Sequence, residues 1–128
     1  MRITEHFTWD EIASPGHPEL GVQDGFLDRL EALRVAYGHP MVVTSGARTR
    51  EHNKRVGGAA ASMHLIDNPK YQCDCLAVDV HMLDASLRRR FVEIALANRW
   101  SVGVGKSFVH VDARADLLQL PQVMWGYG

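Results

Sequence analysis

Two short apolar runs each carry ionisable side chains among aliphatic neighbours, and this limits the fold more than anything else in the chain. "LAVDV" (76–80) sets Asp79 among aliphatic residues. "SFVHVDA" (107–113) puts Phe108, His110 and Asp112 on one face of an extended strand and Val109 and Val111 on the other. An unpaired carboxylate or imidazole is costly to bury in such a strand, so the fold must bring compensating partners to both. A metal ion is one compensation. A hydrogen-bonded core histidine, with the aspartate as ladder or cap partner, is the other, and the strand pattern by itself favours it. No compact motif such as H-E-x-x-H is present to decide the matter.

The rest of the chain frames these strands. "FTWDE" opens a helix with Thr8 and Glu11 in capping-box spacing. A Pro/Gly-rich connection follows at 14–21. Helical spacing of Phe26, Leu30 and Leu33 marks a helix over 23–37, stopped by Gly38 and Pro40. "MVVT" (41–44) reads as a buried strand, and 45–58 as a turn, a short polar helix and a glycine stop. Leu87, Phe91, Ile94 and Ala95 define a helix over 84–100 with Asp84 as its cap. "SVGVG" and "SFVHVDA" form two strands turning at Gly105-Lys106, and the tail 117–128 reads as irregular, packing Leu and Trp onto the body. The expected fold is α+β, a small mostly antiparallel sheet with helices packed around it, in a single domain over 1–128.

Composition narrows the function. A net charge of −1 provides no field to draw nucleic acid or an anionic membrane. There is no apolar run of about 20 residues to span a bilayer, and the N-terminus lacks the apolar stretch of a secretory signal. The expectation is a monomer made in the cytoplasm. Cys73 and Cys75 read as free thiols, too close for an easy internal bridge and without the four well-spaced ligands of a second metal site.

Three stretches in this order, "TSGARTREHNKRVGGAAASMHL", "LAVDV" and "VGVGKSFVHVDAR", resemble the zinc peptidases of the D-alanyl-D-alanine carboxypeptidase type. The similarity is greatest to the branch of murein endopeptidases and phage endolysins, and it extends from "EHFTWDEIASP" to "WGYG". The resemblance implies a hedgehog/DD-peptidase-like fold and a Zn2+ cofactor held by His64, Asp79 and His110. It implies Arg48 as the substrate-contacting arginine, able to hold a carbonyl or carboxylate with its planar fork, and Ser62 as a polar residue at the substrate end of the cleft. Asn53 and Gly57-Gly58 match structural positions. The implied activity is zinc-dependent hydrolysis of amides in peptidoglycan stem peptides or cross-links, in an endolysin acting on the wall after release or in a murein peptidase. The alternative is a zinc-binding module for cell-wall recognition or phage assembly that lacks catalysis.

Two departures from the family pattern stand out. Its first two ligands are usually seven residues apart, whereas fifteen separate His64 from Asp79 here, so eight extra residues fall in the polar run "IDNPKYQCDC". That insertion reads as a surface loop at the cleft rim, able to alter substrate choice. Many relatives also carry an acidic residue three positions before the last histidine, where this chain has Ser107. A peptidase needs a proton carrier. Asp112 is the first candidate, as catalytic base or as the group that orients His110; His81 is a weaker one.

Overall fold

The computed structural model describes residues 1–127. The chain runs α1 (Trp9–Ile12), α2 (Phe26–Tyr37), β1 (Val42–Ser45), α3 (Arg50–Arg55), β2 (Ala77–His81), α4 (Ala85–Ala97), β3 (Ser101–Val104), β4 (Phe108–Asp112), α5 (Arg114–Leu118) and β5 (Met124–Gly126). The five strands form one sheet in the order β1-β2-β4-β3-β5, antiparallel throughout except for the parallel β3–β5 pair. The fold is α+β, as the element pattern predicts.

Helix starts follow local chemistry. Glu11 accepts from the Thr8 backbone N–H at 2.8 Å and from its hydroxyl at 3.0 Å, fixing the start of α1. Asp84 accepts from Leu87 N–H at 2.9 Å and caps α4. The α2 stripe Phe26, Leu30, Leu33 and Tyr37 is buried, and Tyr37 meets Phe91 of α4 edge to face at 5.0 Å between ring centroids. Both helices lie over the valine face of the sheet, where Val78, Val80, Val102, Val109 and Val111 are fully buried. Each such side chain contributes about 1.5–3 kcal/mol by leaving water.

Because successive residues of a strand face opposite ways, the valine face dictates what the other face carries. Register aligns Ser45 with Asp79, Asp79 with His110, His110 with Gly103, and Gly103 with Trp125. One row of residues thus crosses all five strands on the face away from the valines.

Three expectations are corrected. The β1 strand is an edge strand rather than a buried one, with Val42 exposed. The tail is not irregular. It forms α5 and then β5, which gains partners along β3; Gly128 lies outside the described residues. The 66–75 insertion is not simply a surface loop, because Cys75 and Asn68 within it are buried. Asn68 organises it. Its amide donates to the carbonyls of Ala61 and Ser62 (3.1 and 3.0 Å), and its side-chain oxygen accepts from the N–H groups of Lys70 and Tyr71 (3.0 and 3.1 Å). Both cysteines are free thiols, and both are buried.

Candidate functional site

His64, Asp79 and His110 converge. His64 comes from the turn after α3, Asp79 from β2 and His110 from β4. Asp79 Oδ1 lies 3.1 Å from His64 Nε2 and 3.0 Å from His110 Nδ1, and the two ring nitrogens are 3.2 Å apart. The outer nitrogens settle the tautomers. His64 Nδ1 is 2.7 Å from the carbonyl oxygen of Gly46, which can only accept, so that nitrogen donates. His110 Nε2 donates to Asp112 Oδ2 at 2.8 Å. In the neutral rings, Nε2 of His64 and Nδ1 of His110 are therefore lone pairs, and both face a carboxylate oxygen.

Three lone pairs with no proton among them repel unless a cation sits between them. Ligand atoms at about 2.0–2.1 Å from a tetrahedral zinc are about 3.3 Å from one another, close to the separations found here. Two imidazoles and a carboxylate are a suitable donor set for zinc and leave a fourth position open. The residues fit the ion that the resemblance implies.

In the metal-free site the electrostatics separate the two rings, favouring a neutral His64 and a protonated His110 whose proton a metal would displace. Burial lowers the pKa of His64, favouring the neutral ring that can ligate. Burial would also lower His110, but Asp112 and Asp79 on its two sides outweigh it and raise the value. Burial would raise Asp79, yet the two imidazoles facing it, where they carry protons in the metal-free site, hold its carboxyl well below the usual range.

Arg48 and Asp112 flank the cluster from opposite sides. Arg48 donates through Nε to Ser45 Oγ (2.9 Å), through Nη1 to Asn53 Oδ1 (3.2 Å) and through Nη2 to Asp79 Oδ2 (3.3 Å). Of its five N–H groups, two stay free for a ligand. Gly58 packs against this assembly: a Cβ there would lie 2.0 Å from Asn53 Oδ1 and 2.9 Å from Arg48 Nη1. Asp112 is fully buried. It accepts from His110, from Arg114 Nε (2.8 Å) and Nη2 (2.7 Å), and from the Arg114 backbone N–H (3.2 Å). Four donors occupy the lone-pair sites of one carboxylate. Of the two roles open to Asp112, this geometry is that of a group orienting His110.

The cluster opens into a cavity of about 440 Å3, lined by Arg48, Ser62, Tyr71, Arg114, Trp125 and Tyr127 among others. Among the described residues Asp79 is the only carboxylate side chain that lines it. Neither Ser107 nor His81 reaches it; both are exposed. Ser62 Oγ accepts from His64 N–H at 3.2 Å. A second group, Glu5, His6 and Glu31, also places ligand-type atoms together. There the Glu31 carboxylate is already bonded to His6 and Thr4, so no lone-pair conflict arises.

Sequence reasoning missed the aromatic lining. Trp125 reads as packing from sequence, but its indole lies 5.2 Å from the His110 ring and 5.3 Å from the Arg114 guanidinium carbon. The signal for it was Gly103 in β3, where a Cβ would come within 2.6 Å of the indole. Tyr71 is carried into the cavity by the insertion that Asn68 holds together.

No curated protein and no solved structure matches the chain. A family profile does. It is described as Peptidase M15, and it covers residues 5–112, from before α1 to the end of β4, with all three convergent side chains inside it. On that match, spanning well over half the sequence, the chain belongs to the peptidase M15 family, whose members are peptide-bond hydrolases that in general depend on zinc.

Proposed function

We propose that residues 1–128 act as one peptidase domain that hydrolyses amides in the peptide part of bacterial peptidoglycan, in stem peptides or cross-links containing D-amino acids. The observation that carries this is the meeting of His64 Nε2, Asp79 Oδ1 and His110 Nδ1 within 3.0–3.2 Å at the floor of an open cavity. His64, Asp79 and His110 would hold Zn2+, which in such a site supplies Lewis acidity to a carbonyl and brings the pKa of water toward neutrality.

The chain's own residues do the rest. The Gly46 carbonyl and the Asp112 carboxylate keep both imidazoles in the ligating tautomer. Arg48 holds Asp79 and offers two remaining N–H groups to a substrate carbonyl or carboxylate, with Ser62 at the same end. Fixed donors of this kind pull on the reacting group with little reorganisation. The aromatic lining excludes water from one side of the scissile amide.

Among the described residues no carboxylate side chain besides Asp79 lines the cavity, which favours a second reading, a zinc-binding recognition module without turnover. Metal analysis and mass spectrometry of muropeptide digests separate the two. The peptidase reading expects about one zinc per chain and new cleavage products that chelator abolishes. Full zinc occupancy with intact muropeptides selects the module. Clearing of permeabilised Gram-negative cells by the purified protein would place the activity in an endolysin setting; release of soluble products without clearing fits a murein peptidase.

A further inference from the structure

We propose that Arg114 is a substrate-recognition residue, reading a free carboxylate that flanks the scissile amide in the cleft that Arg48 also lines. The inference rests on the peptidase reading and deepens it. Arg114 lies beyond the span matched by the family profile. It lines the cavity, and its side chain keeps 21% of its surface exposed.

Its guanidinium is positioned but unsaturated. Nε and one Nη2 hydrogen are used on Asp112. Among the described residues nothing else accepts from it, so both Nη1 hydrogens and one on Nη2 remain. The plane is held by the bidentate pair with the fully buried Asp112 and by the Trp125 ring beneath it, 5.3 Å away. Gly103 leaves the room that this ring occupies. A guanidinium fixed in this way loses little entropy on binding, and its fork matches a carboxylate.

Charge points the same way. Among the described residues the lining offers two guanidiniums against one carboxylate side chain, and that carboxylate is already committed to His64, His110 and Arg48. A bound divalent cation makes the cleft more positive still. Peptidoglycan stem peptides carry free carboxylates close to their amides, whereas ordinary internal peptide bonds do not. Arg114 would thus separate wall peptides from general protein substrates. Tyr71, brought in by the insertion, lines the same cavity.

The test uses the pentapeptide L-Ala–γ-D-Glu–L-Lys–D-Ala–D-Ala and two derivatives, one with the D-Glu α-carboxyl amidated and one with the C-terminal carboxyl amidated. Binding to metal-free protein is measured by calorimetry, and kcat/KM with zinc where turnover occurs. Amidating the carboxylate that Arg114 reads should weaken binding roughly tenfold to a hundredfold in the wild type, the value of a charge-assisted pair. In Arg114→Met that amidation should make no difference. In Arg114→Lys the preference should return in part. A structural role through Asp112 would lower all three peptides equally and preserve their ratios, which would overturn the proposal. So would a wild type indifferent to both amidations. Binding with the expected preference but no turnover would leave the proposal standing and count against peptidase activity.

Discussion

Asp112→Asn is the sharpest perturbation of the site, because it changes charge and donor count while hardly changing shape. The carboxylate faces four donors and no acceptor. An asparagine supplies one oxygen and must place its NH2 either at the Oδ1 position, facing Arg114 Nε and the Arg114 backbone N–H, or at the Oδ2 position, facing His110 and Arg114 Nη2. At Oδ1 it forfeits one charge-assisted bond, worth about 1.5–3 kcal/mol, and one backbone bond, worth about 0.5–1.5 kcal/mol. Arg114 is partly exposed and can recover some of this from water, so the expected loss is about 2–4 kcal/mol of folding stability. Facing His110 Nε2, the NH2 becomes the donor and pushes the ring proton onto Nδ1, into the ligand cluster. Either orientation weakens the hold on the metal, and such supporting groups typically account for 10–100-fold in affinity. The assay is a zinc competition titration against a chromogenic chelator, alongside thermal unfolding of the metal-free protein. At saturating zinc most of the activity should return if Asp112 orients His110. Unchanged zinc affinity, or a complete loss of kcat at full occupancy, would refute this reasoning and restore Asp112 as a proton carrier.

Other residues give independent tests. Gly103→Ala brings a methyl within 2.6 Å of the Trp125 ring; it should displace the indole, cost about 1–3 kcal/mol and raise KM without removing zinc, as read by tryptophan fluorescence, metal content and kinetics. Burial pushes the Cys75 thiol up to about 12 and also raises Cys73, so neither should react readily with a thiol reagent at pH 8 until denaturant is added, when two thiols should titrate. Burial would raise Glu31, but its bonds with His6 and Thr4 outweigh it and hold the carboxyl below its ordinary range. A depressed folded-state pKa adds stability above the unfolded value and loses it as pH falls through the folded one. Glu31→Gln should therefore lower the melting temperature slightly at pH 6, by less than ~1 kcal/mol in free energy, and the difference should shrink as the pH is lowered.

The site was legible in the sequence to unequal degrees, for physical reasons. Asp79 and His110 stand out because an ionisable residue inside an aliphatic strand needs an explanation wherever it occurs, and their cross-strand register supplies it. His64 lies in a turn with no periodicity to mark it, so only the resemblance picked it out. The helices 26–37 and 85–97 followed from apolar spacing and caps. The strand at 124–126 did not, because three residues carry too little pattern, and their pairing with β3 depends on a partner more than twenty residues away. With that strand unread, Trp125 looked like packing and Arg114 drew no reading. The insertion kept its interior hidden in the same way, since the four hydrogen bonds of Asn68 reach groups that sequence alone cannot place beside it.

Sheet register ties the core to the chemistry. A slip of one residue in β4 against β2 would turn His110 toward the helices and expose Val109 and Val111, while Asp79 stayed behind on the other face. Hydrophobic burial and ligand convergence thus select the same pairing, each opposing the error that would ruin the other. Without a metal, that pairing sets two imidazoles and a carboxylate together at one point of the cleft, where all three could hold one ion. Zinc should accordingly raise the unfolding temperature in proportion to the logarithm of its free concentration. In Asp79→Asn or His110→Ala the metal-free protein should be affected far less than the metal-loaded one. Equal destabilisation of the two forms would mean that these residues serve the core, and that their convergence has no bearing on a metal.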